Sequence, residues 1–448
     1  MADILRDAGI EAADREARWL VEGVILAEGG DPTAALLDAA KRRAGGEPLQ
    51  YILGNAHFRH LELAVGPGVF IPRPETELVV ERALGLLPYR GVAVDVGTGS
   101  GAIALALATE RPDAGVYATE RDAGALAWAR RNNETLGEPL AGLFEGDLFD
   151  PLPDGLAGEI DVVVANPPYI APSEGDRLPR DVVEHEPAAA LFAPGGGAAV
   201  IDAIADAAPR YLAPGGHLVL EIGAGQGDLV RSLLARHGFR TATIARDLAG
   251  NERIATGRSP AEFDQAVDAL EAGAVAIVPT DTVYGIAARP ETPGVARIFE
   301  LKGRPPDKAL PVLGHDLEAL RTVARFDDRA SALAAKFWPG PLTIVLPRTS
   351  RFAADLGGAA DTVAVRIPDH RGLLRLLAAT GPLAVTSANR SGEPEAVTAA
   401  QAAAVLGEDL ARYEGGTGRG RASTVVSLVG PMTVLREGEI TGDQLDSY

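Results

Sequence analysis

From Val92 the sequence repeats one pattern: a short apolar run, a turn carrying glycine, then a stretch with helical spacing. Apolar runs at 92–96, 115–119, 161–165 and 217–222 alternate with helix-like segments at 102–110, 123–136, 198–211 and 228–237. Strands alternating with helices pair in parallel through crossovers, so the pattern dictates an open, doubly wound sheet with helices on both faces. A sheet of that kind offers ligands a crevice at the carboxyl ends of its strands. The alternation stops where Gly257, Ser259 and Pro260 break it. A fresh helix at 261–272 then leads into a new apolar strand at 274–279. The 448 residues are about three times the commonest domain size. No internal repeat relates the two parts.

Ahead of the sheet, Ile4, Leu5, Trp19, Leu20, Val24 and Ile25 recur at helical spacing, with Pro32 interrupting the run. A polar, glycine- and proline-rich stretch follows 44, and the loop VGPGVFIPRPETELVV follows that. The expected division is a helical domain with its connecting loop at 1–80, a sheet domain at 81–257 and a further α/β domain at 258–448.

Cysteine is absent, which removes disulfide scaffolds, cysteine nucleophiles and Cys-ligated metals. No apolar run approaches the roughly 20 residues that span a bilayer, and the N-terminus has no signal-peptide core. A soluble, cytoplasmic protein without membrane contact is expected. The net charge of −20 is uneven: residues 1–257 carry 38 acids and 22 bases, residues 258–448 carry 24 and 20. Such acidity argues against holding nucleic acid through a broad basic face. Only Lys41, Lys302, Lys308 and Lys336 are lysine, against 38 arginines, and two of the four lie within LKGRPPDKALP.

The strand VAVDV runs into Gly97, Thr98, Gly99, Ser100 and Gly101, then a helix. Glycines there let the backbone turn tightly and approach a ligand beside a helix N-terminus. Glu120 ends the next strand, where a carboxylate can accept from ribose hydroxyls. The spacing is neither the dinucleotide fingerprint nor a P-loop, and suits a nucleoside without pyrophosphate. The blander alternative is a structural turn with a surface acid.

Asn166, Pro167, Pro168 and Tyr169 follow the strand DVVVA. Two prolines fix the backbone and remove two N–H donors. The Asn166 side-chain oxygen and the Pro167 carbonyl can then accept both protons of a planar –NH2, with Tyr169 stacked on its conjugated system. A delocalised nitrogen is a poor nucleophile, so such a site works by positioning. His185, in VEHEP, is a candidate base, but a loop histidine between two glutamates reads better as structural.

GEPLQYILGNAHF, IPRPETE, DVGTGSGAIALALA, NPPYI and LEIGAGQG together resemble the PrmC (HemK) methyltransferases over about residues 3–257. The resemblance implies a Rossmann-like class I methyltransferase sheet behind a helical domain that holds a peptide-chain release factor. It implies methyl transfer from S-adenosylmethionine to the glutamine amide of the factor's GGQ motif. Gly97 to Gly101 and Glu120 would bind the methyl donor, with Asp147 and Leu148 near its adenine and Asn166 between donor and amide. The family usually has aspartate at Glu120 and often an aromatic at Leu148. The rival is a nucleic-acid amine methyltransferase, since adenine N6 presents the same –NH2. Residues 151–200 hold eight acids and two arginines, which disfavours a phosphate backbone.

In the second half, the strand AVAIVP ends in TDTVYG, a turn containing Thr280, Thr282 and Tyr284. Lys302 and Arg304 lie two apart, followed by prolines and Lys308. Paired cations suit a triphosphate, the alternative being a solvated basic turn. TSANRSG places Ser387 and Asn389 after another strand, and GRGRASTVVSL, with Arg421, Ser423 and Thr424, precedes Arg436. With WPGPLTIVL and VAVRIPDH, these blocks look like the YrdC-type L-threonylcarbamoyl-AMP synthases over about 262–442.

That resemblance implies a twisted mixed sheet and the joining of L-threonine, bicarbonate and ATP, the first step toward t6A in tRNA. Thr282 or Thr280 would contact threonine, with Tyr284 nearby. Lys302, Arg304, Lys308, Ser387 and Asn389 would bind ATP, and Thr343, Ser423 and Arg436 would complete the pocket. Mg2+ on the phosphates and contact with the t6A transferase machinery are further expectations. Ala309 departs from the family's usual proline. A non-catalytic RNA-binding module is the alternative, with eight bases and five acids at 302–348 able to form a local patch. Hydrogenase-maturation carbamoyl transfer is disfavoured, because its cysteine-rich zinc modules cannot exist here.

Overall fold

The computed structural model describes residues 1–27, 32–415 and 420–445. The chain separates into two units: Met1–Gly85 with Gly91–Ser259, and Pro260–Tyr448 with Leu86–Arg90.

The first unit is built on a seven-stranded sheet. From one edge its strands are Gly142–Glu145, Gly115–Glu120, Val92–Val96, Ile160–Ala165, Leu212–Glu221, Glu252–Arg258 and Thr241–Arg246. The first five run parallel, and Glu252–Arg258 is antiparallel to both its neighbours. Strand order reverses between Val92–Val96 and Ile160–Ala165, so the loops leaving those strands, 97–101 and 166–169, flank the crevice of the sheet. The strands are apolar throughout because both faces are covered: Val94, Val96, Val163, Leu218 and Leu220 are fully or almost fully buried.

Helices Ala2–Asp7, Ala13–Ala27 and Pro32–Ala44 meet around Leu5, Ala13, Leu20 and Ala39. The stretch expected to be irregular after 44 is ordered instead. Helix Leu49–Leu53 ends on Gly54 at φ +77°, and Asn55–Phe58 pairs with Leu61–Ala64 as a hairpin. Ala56, Phe58, Leu61 and Leu63 alternate inward, a period of two too short to stand out among neighbouring histidines and asparagine. Helix Glu77–Leu84 buries Val79, Val80 and Ala83, so the expected boundary at 80/81 cuts through an element. The strand holding Gly257 continues to Arg258, paired with His217 and Thr241, and the units divide after Ser259, two residues from the boundary expected at 257/258.

The second unit has a nine-stranded mixed sheet. Its order is Ala411–Arg412, Ala276–Val278, Gly285–Ala288, Leu383–Ser387, Val312–Leu313, Thr362–Arg366, Leu342–Pro347, Thr424–Ser427 and Thr433–Arg436. Helix Gly294–Lys302 ends at the sheet on Gly303, whose φ of +56° closes the helix. Val312, Ile344, Val365 and Ala384 fill the core between strands and helices. Residues 418–419 of the expected glycine-rich turn lie outside the described residues.

Candidate active sites

In the first unit, Gly97, Gly99 and Gly101 all have positive φ (+75°, +58° and +88°). A Cβ at Gly97 or Gly99 would project into open space, whereas one at Gly101 would sit 2.9 Å from Leu105 Cδ1. Two glycines therefore clear the cavity side of the loop, and the third lets helix Ala102–Glu110 pack closely. The loop is fixed from beneath. Thr98 Oγ1 donates to Asp95 Oδ2 at 2.5 Å, and Ala104 N donates to the same oxygen at 3.2 Å. Burial pushes the Asp95 carboxyl up to about 7. Asn132 donates to the carbonyls of Ser100 (2.9 Å) and Ala64 (3.0 Å), tying the loop to the hairpin.

Glu120 accepts from Gly99 N and Asp122 N, each at 2.9 Å, leaving further lone pairs on an acid that lines the cavity. Thr98, Ser100, Asp147 and Leu148 line it too, as do Asn166, Pro167, Pro168 and Tyr169. Leu148 is held at φ +46°, a left-handed conformation that costs roughly 1–2 kcal/mol for a residue with a Cβ. The cleared glycine backbone, the Glu120 carboxylate and the facing NPPY loop fit a nucleoside-bearing methyl donor beside a planar amine.

Three residues of this site were not singled out from the sequence. Asn166 Nδ2 donates to Thr76 Oγ1 at 3.1 Å, Thr76 Oγ1 donates to Glu221 Oε2 at 2.6 Å, and Tyr169 Oη donates to Glu221 Oε1 at 3.1 Å. Burial pushes the Tyr169 phenol up and keeps it a donor. Gln226 Nε2 donates to the Tyr169 carbonyl at 2.9 Å. Among the described residues neither Asn166 Oδ1 nor the Pro167 carbonyl has a protein partner. His185 does not line the cavity; its neighbour Glu186 does structural work, pairing with Arg73 and accepting from Ile71 N.

In the second unit, Lys302 closes its helix with Nζ buried against another loop. It donates to the Ser387 carbonyl, to the Asn389 carbonyl at 2.6 Å and to Asn389 Oδ1 at 3.0 Å. Ser387 Oγ donates to the same Oδ1 at 2.6 Å. Burial, then Arg304, pushes the Lys302 ammonium down to about 8. Arg304 donates to the carbonyls of Lys308 and Ala309, and Arg436 to Ser423. Among the described residues neither guanidinium has a carboxylate within ion-pair distance. Burial disfavours charge on both; Arg304 also feels Arg436, opposed by Asp307, and Arg436 feels Glu395, which favours its charge, and Arg366, which does not. With Lys302 buried, Arg304 partly buried and Arg436 exposed, a cationic cluster of this kind is a place for an anion.

Thr343 Oγ1 lies 2.9 Å from Ser423 Oγ, and Thr280 Oγ1 lies 2.9 Å from Thr282 Oγ1. Arg366, buried and paired with Asp281, reaches Thr282 Oγ1 at 3.4 Å and joins the threonine turn to the cations. Asp281 and Arg366 were not expected from the sequence. Two expected residues stand apart. The Tyr284 ring is 1% exposed and packs in the core, and its backbone carbonyl accepts from Ala388 N at 2.7 Å. Lys308 is exposed and contributes only its carbonyl, to Arg304.

Residues 76–201 match the family described as methyltransferase small domain, and residues 268–438 match the Sua5/YciO/YrdC family described as telomere recombination. The release factor glutamine methyltransferase of Geobacter sulfurreducens is 40% identical over 266 residues, covering 57% of this chain and 92% of that protein. The Streptomyces coelicolor enzyme of the same name is 40% identical over 267 residues, covering 57% and 94%. A solved structure of P. abyssi Sua5 complexed with L-threonine is 36% identical, with a TM-score of 0.40 and coverage of 42% of this chain; this chain spans 57% of that one. The chain belongs to the release factor glutamine methyltransferase family through its first unit, and carries a Sua5/YciO/YrdC domain as its second.

Proposed function

We propose that the protein is a bifunctional enzyme serving translation. Its first unit methylates the glutamine amide of the GGQ motif in release factors. The supporting observation is the pair of unpartnered acceptors, Asn166 Oδ1 and the Pro167 carbonyl, in the cavity that also holds the glycine loop. Bound S-adenosylmethionine supplies an electrophilic methyl group. Gly97, Gly99 and Glu120 hold its nucleoside part, with Asp147 and Leu148 along the cavity wall. Asn166 Oδ1 and the Pro167 carbonyl take the two amide protons and aim the nitrogen, and Tyr169 packs on the amide plane. Transfer would form the N–C bond as the donor's C–S bond breaks, with S-adenosylhomocysteine as the leaving group and one amide proton released.

The second unit joins L-threonine, bicarbonate and ATP into threonylcarbamoyl-AMP and pyrophosphate. Arg304 and Arg436, two guanidiniums without carboxylate partners, support a polyphosphate site. Lys302, Ser387 and Asn389 shape the loop beside it, while Thr343 and Ser423 present hydroxyls. Thr280 and Thr282, bonded to each other and with Arg366 on Thr282, suit a small hydroxylated amino acid. A carbamate oxygen of carboxylated threonine attacks the α-phosphorus, pyrophosphate leaves, and the cations stabilise the charge. Mg2+, if bound with ATP, would offset the charge of the phosphates beside Arg304 and Arg436. Among the described residues no three His, Asp or Glu side chains gather as a metal site, so the phosphates would hold it. Release factors, the t6A transferase machinery and a cytoplasmic setting are the partners and place proposed. Among the described residues no helix is long and apolar enough to cross a membrane.

Mass spectrometry of a GGQ peptide incubated with methyl donor tests the first activity. A gain of one methyl on the glutamine is expected; methylated DNA or RNA with unmodified peptide overturns it. Pyrophosphate release requiring both threonine and bicarbonate tests the second, and RNA binding without turnover overturns it.

A further inference from the structure

An asparagine side chain has two ends of nearly equal shape, one accepting and one donating. Which end faces the substrate decides whether the NPPY loop selects an amide –NH2 or a carboxylate. Nothing within the NPPY sequence fixes that choice. The surroundings of Asn166 do. Glu221, 1% exposed at the end of its strand, has a hydroxyl on each oxygen: Tyr169 Oη on Oε1 and Thr76 Oγ1 on Oε2. Each hydroxyl lies on its own carboxyl oxygen and donates to it. Thr76 has a single hydroxyl proton, and at 2.6 Å that proton is committed to Glu221. What Thr76 offers Asn166 is therefore a lone pair, and the end of Asn166 found 3.1 Å from it is the Nδ2 donor. Burial pushes the Glu221 carboxyl up and Glu75 adds to this, while the two hydroxyls and Arg253 favour its charged form.

We propose that Thr76, oriented by Glu221, is a specificity-determining positioning residue that turns Asn166 so its oxygen faces the reacting nitrogen. The site then presents two acceptors, Asn166 Oδ1 and the Pro167 carbonyl, to an –NH2 that brings two protons. A carboxylate in the same place brings lone pairs against both. Glutamine is thereby admitted and glutamate, of the same shape, refused. This rests on the glutamine-methylation reading. Thr76 touches no reacting atom and acts only through Asn166.

The test uses the full chain and its Thr76→Val and Thr76→Ser variants. Methyl transfer to a GGQ peptide is measured, together with inhibition by the same peptide carrying glutamate. Valine matches the shape of threonine and removes the hydroxyl; serine keeps the hydroxyl. Thr76→Val should lower kcat about tenfold and narrow the glutamine-over-glutamate preference about tenfold, the worth of one lost hydrogen bond. Thr76→Ser should restore both. A valine variant with unchanged preference, whether or not kcat falls, overturns the proposal by making Thr76 a packing residue. Wild-type chain that methylates no glutamine overturns the underlying reading instead, before any variant is compared.

Discussion

Single side chains divide here between those that face a ligand and those that fix the ones that do. Asn166 belongs to the first kind. Asn166→Ala should lower methyl transfer by about a hundredfold or more, as the loss of an orienting acceptor does, with little change in melting temperature. A rate within a few-fold of wild type would contradict that role. Lys302 belongs to both kinds. Its ammonium holds the Ser387–Asn389 loop and sits in the cationic cluster, and burial brings it down to about 8 from an ordinary 10.5. Below about pH 8 it is charged with three protons for three acceptors; above, it is neutral with two. Pyrophosphate formation should therefore fall as pH rises through about 8, in a limb that methyl transfer lacks. A flat profile well past that pH would count against the assignment. Stability runs the other way: between about 8 and 10.5 the unfolded chain keeps a proton that the folded chain has lost. In that window this lysine's contribution moves in favour of folding as pH rises.

The strand–turn–helix elements that carry the first site could be read from the sequence because their signals are local. VAVDV followed by GTGSG announces a strand and a tight turn, and DVVVA followed by NPPY does the same. The elements that brace the site were less legible. The hairpin at Asn55–Phe58 and Leu61–Ala64 has only four residues a side, too few for a period to emerge. The hairpin at Thr241–Arg246 and Glu252–Arg258 lies just ahead of the domain division, where no strand–turn–helix repeat announces it. Thr76, Glu221 and Asn166 lie 145 and 90 positions apart along their two hydrogen bonds, so only the fold places them together. Asn132 joins three elements in the same way, bonding the hairpin at both Ala64 groups and the glycine loop at Ser100. Asn132→Leu leaves three backbone groups unpaired. It should cost on the order of 2–3 kcal/mol in denaturant unfolding and weaken methyl-donor binding, since the loop loses its brace. Wild-type stability together with wild-type donor affinity would contradict this.

Across the whole molecule, net acidity and a handful of basic residues separate two chemistries. The first unit is strongly acidic, in keeping with a protein substrate and a methyl donor without phosphate. The nearly balanced second unit holds three of the four lysines; of the two in LKGRPPDKALP, the fold uses Lys302 in the site and leaves Lys308 on the surface. The two reactions share no intermediate, and each unit contains its own cavity or charge cluster. They should therefore act independently. One preparation each of wild type, Asn166→Ala and Arg304→Ala, assayed for GGQ methylation and for threonine- and bicarbonate-dependent pyrophosphate release, puts this to the test. Asn166→Ala should abolish methylation and spare pyrophosphate release, and Arg304→Ala should do the reverse. Loss of both activities in either variant, or of neither in both, would contradict two independent catalytic units.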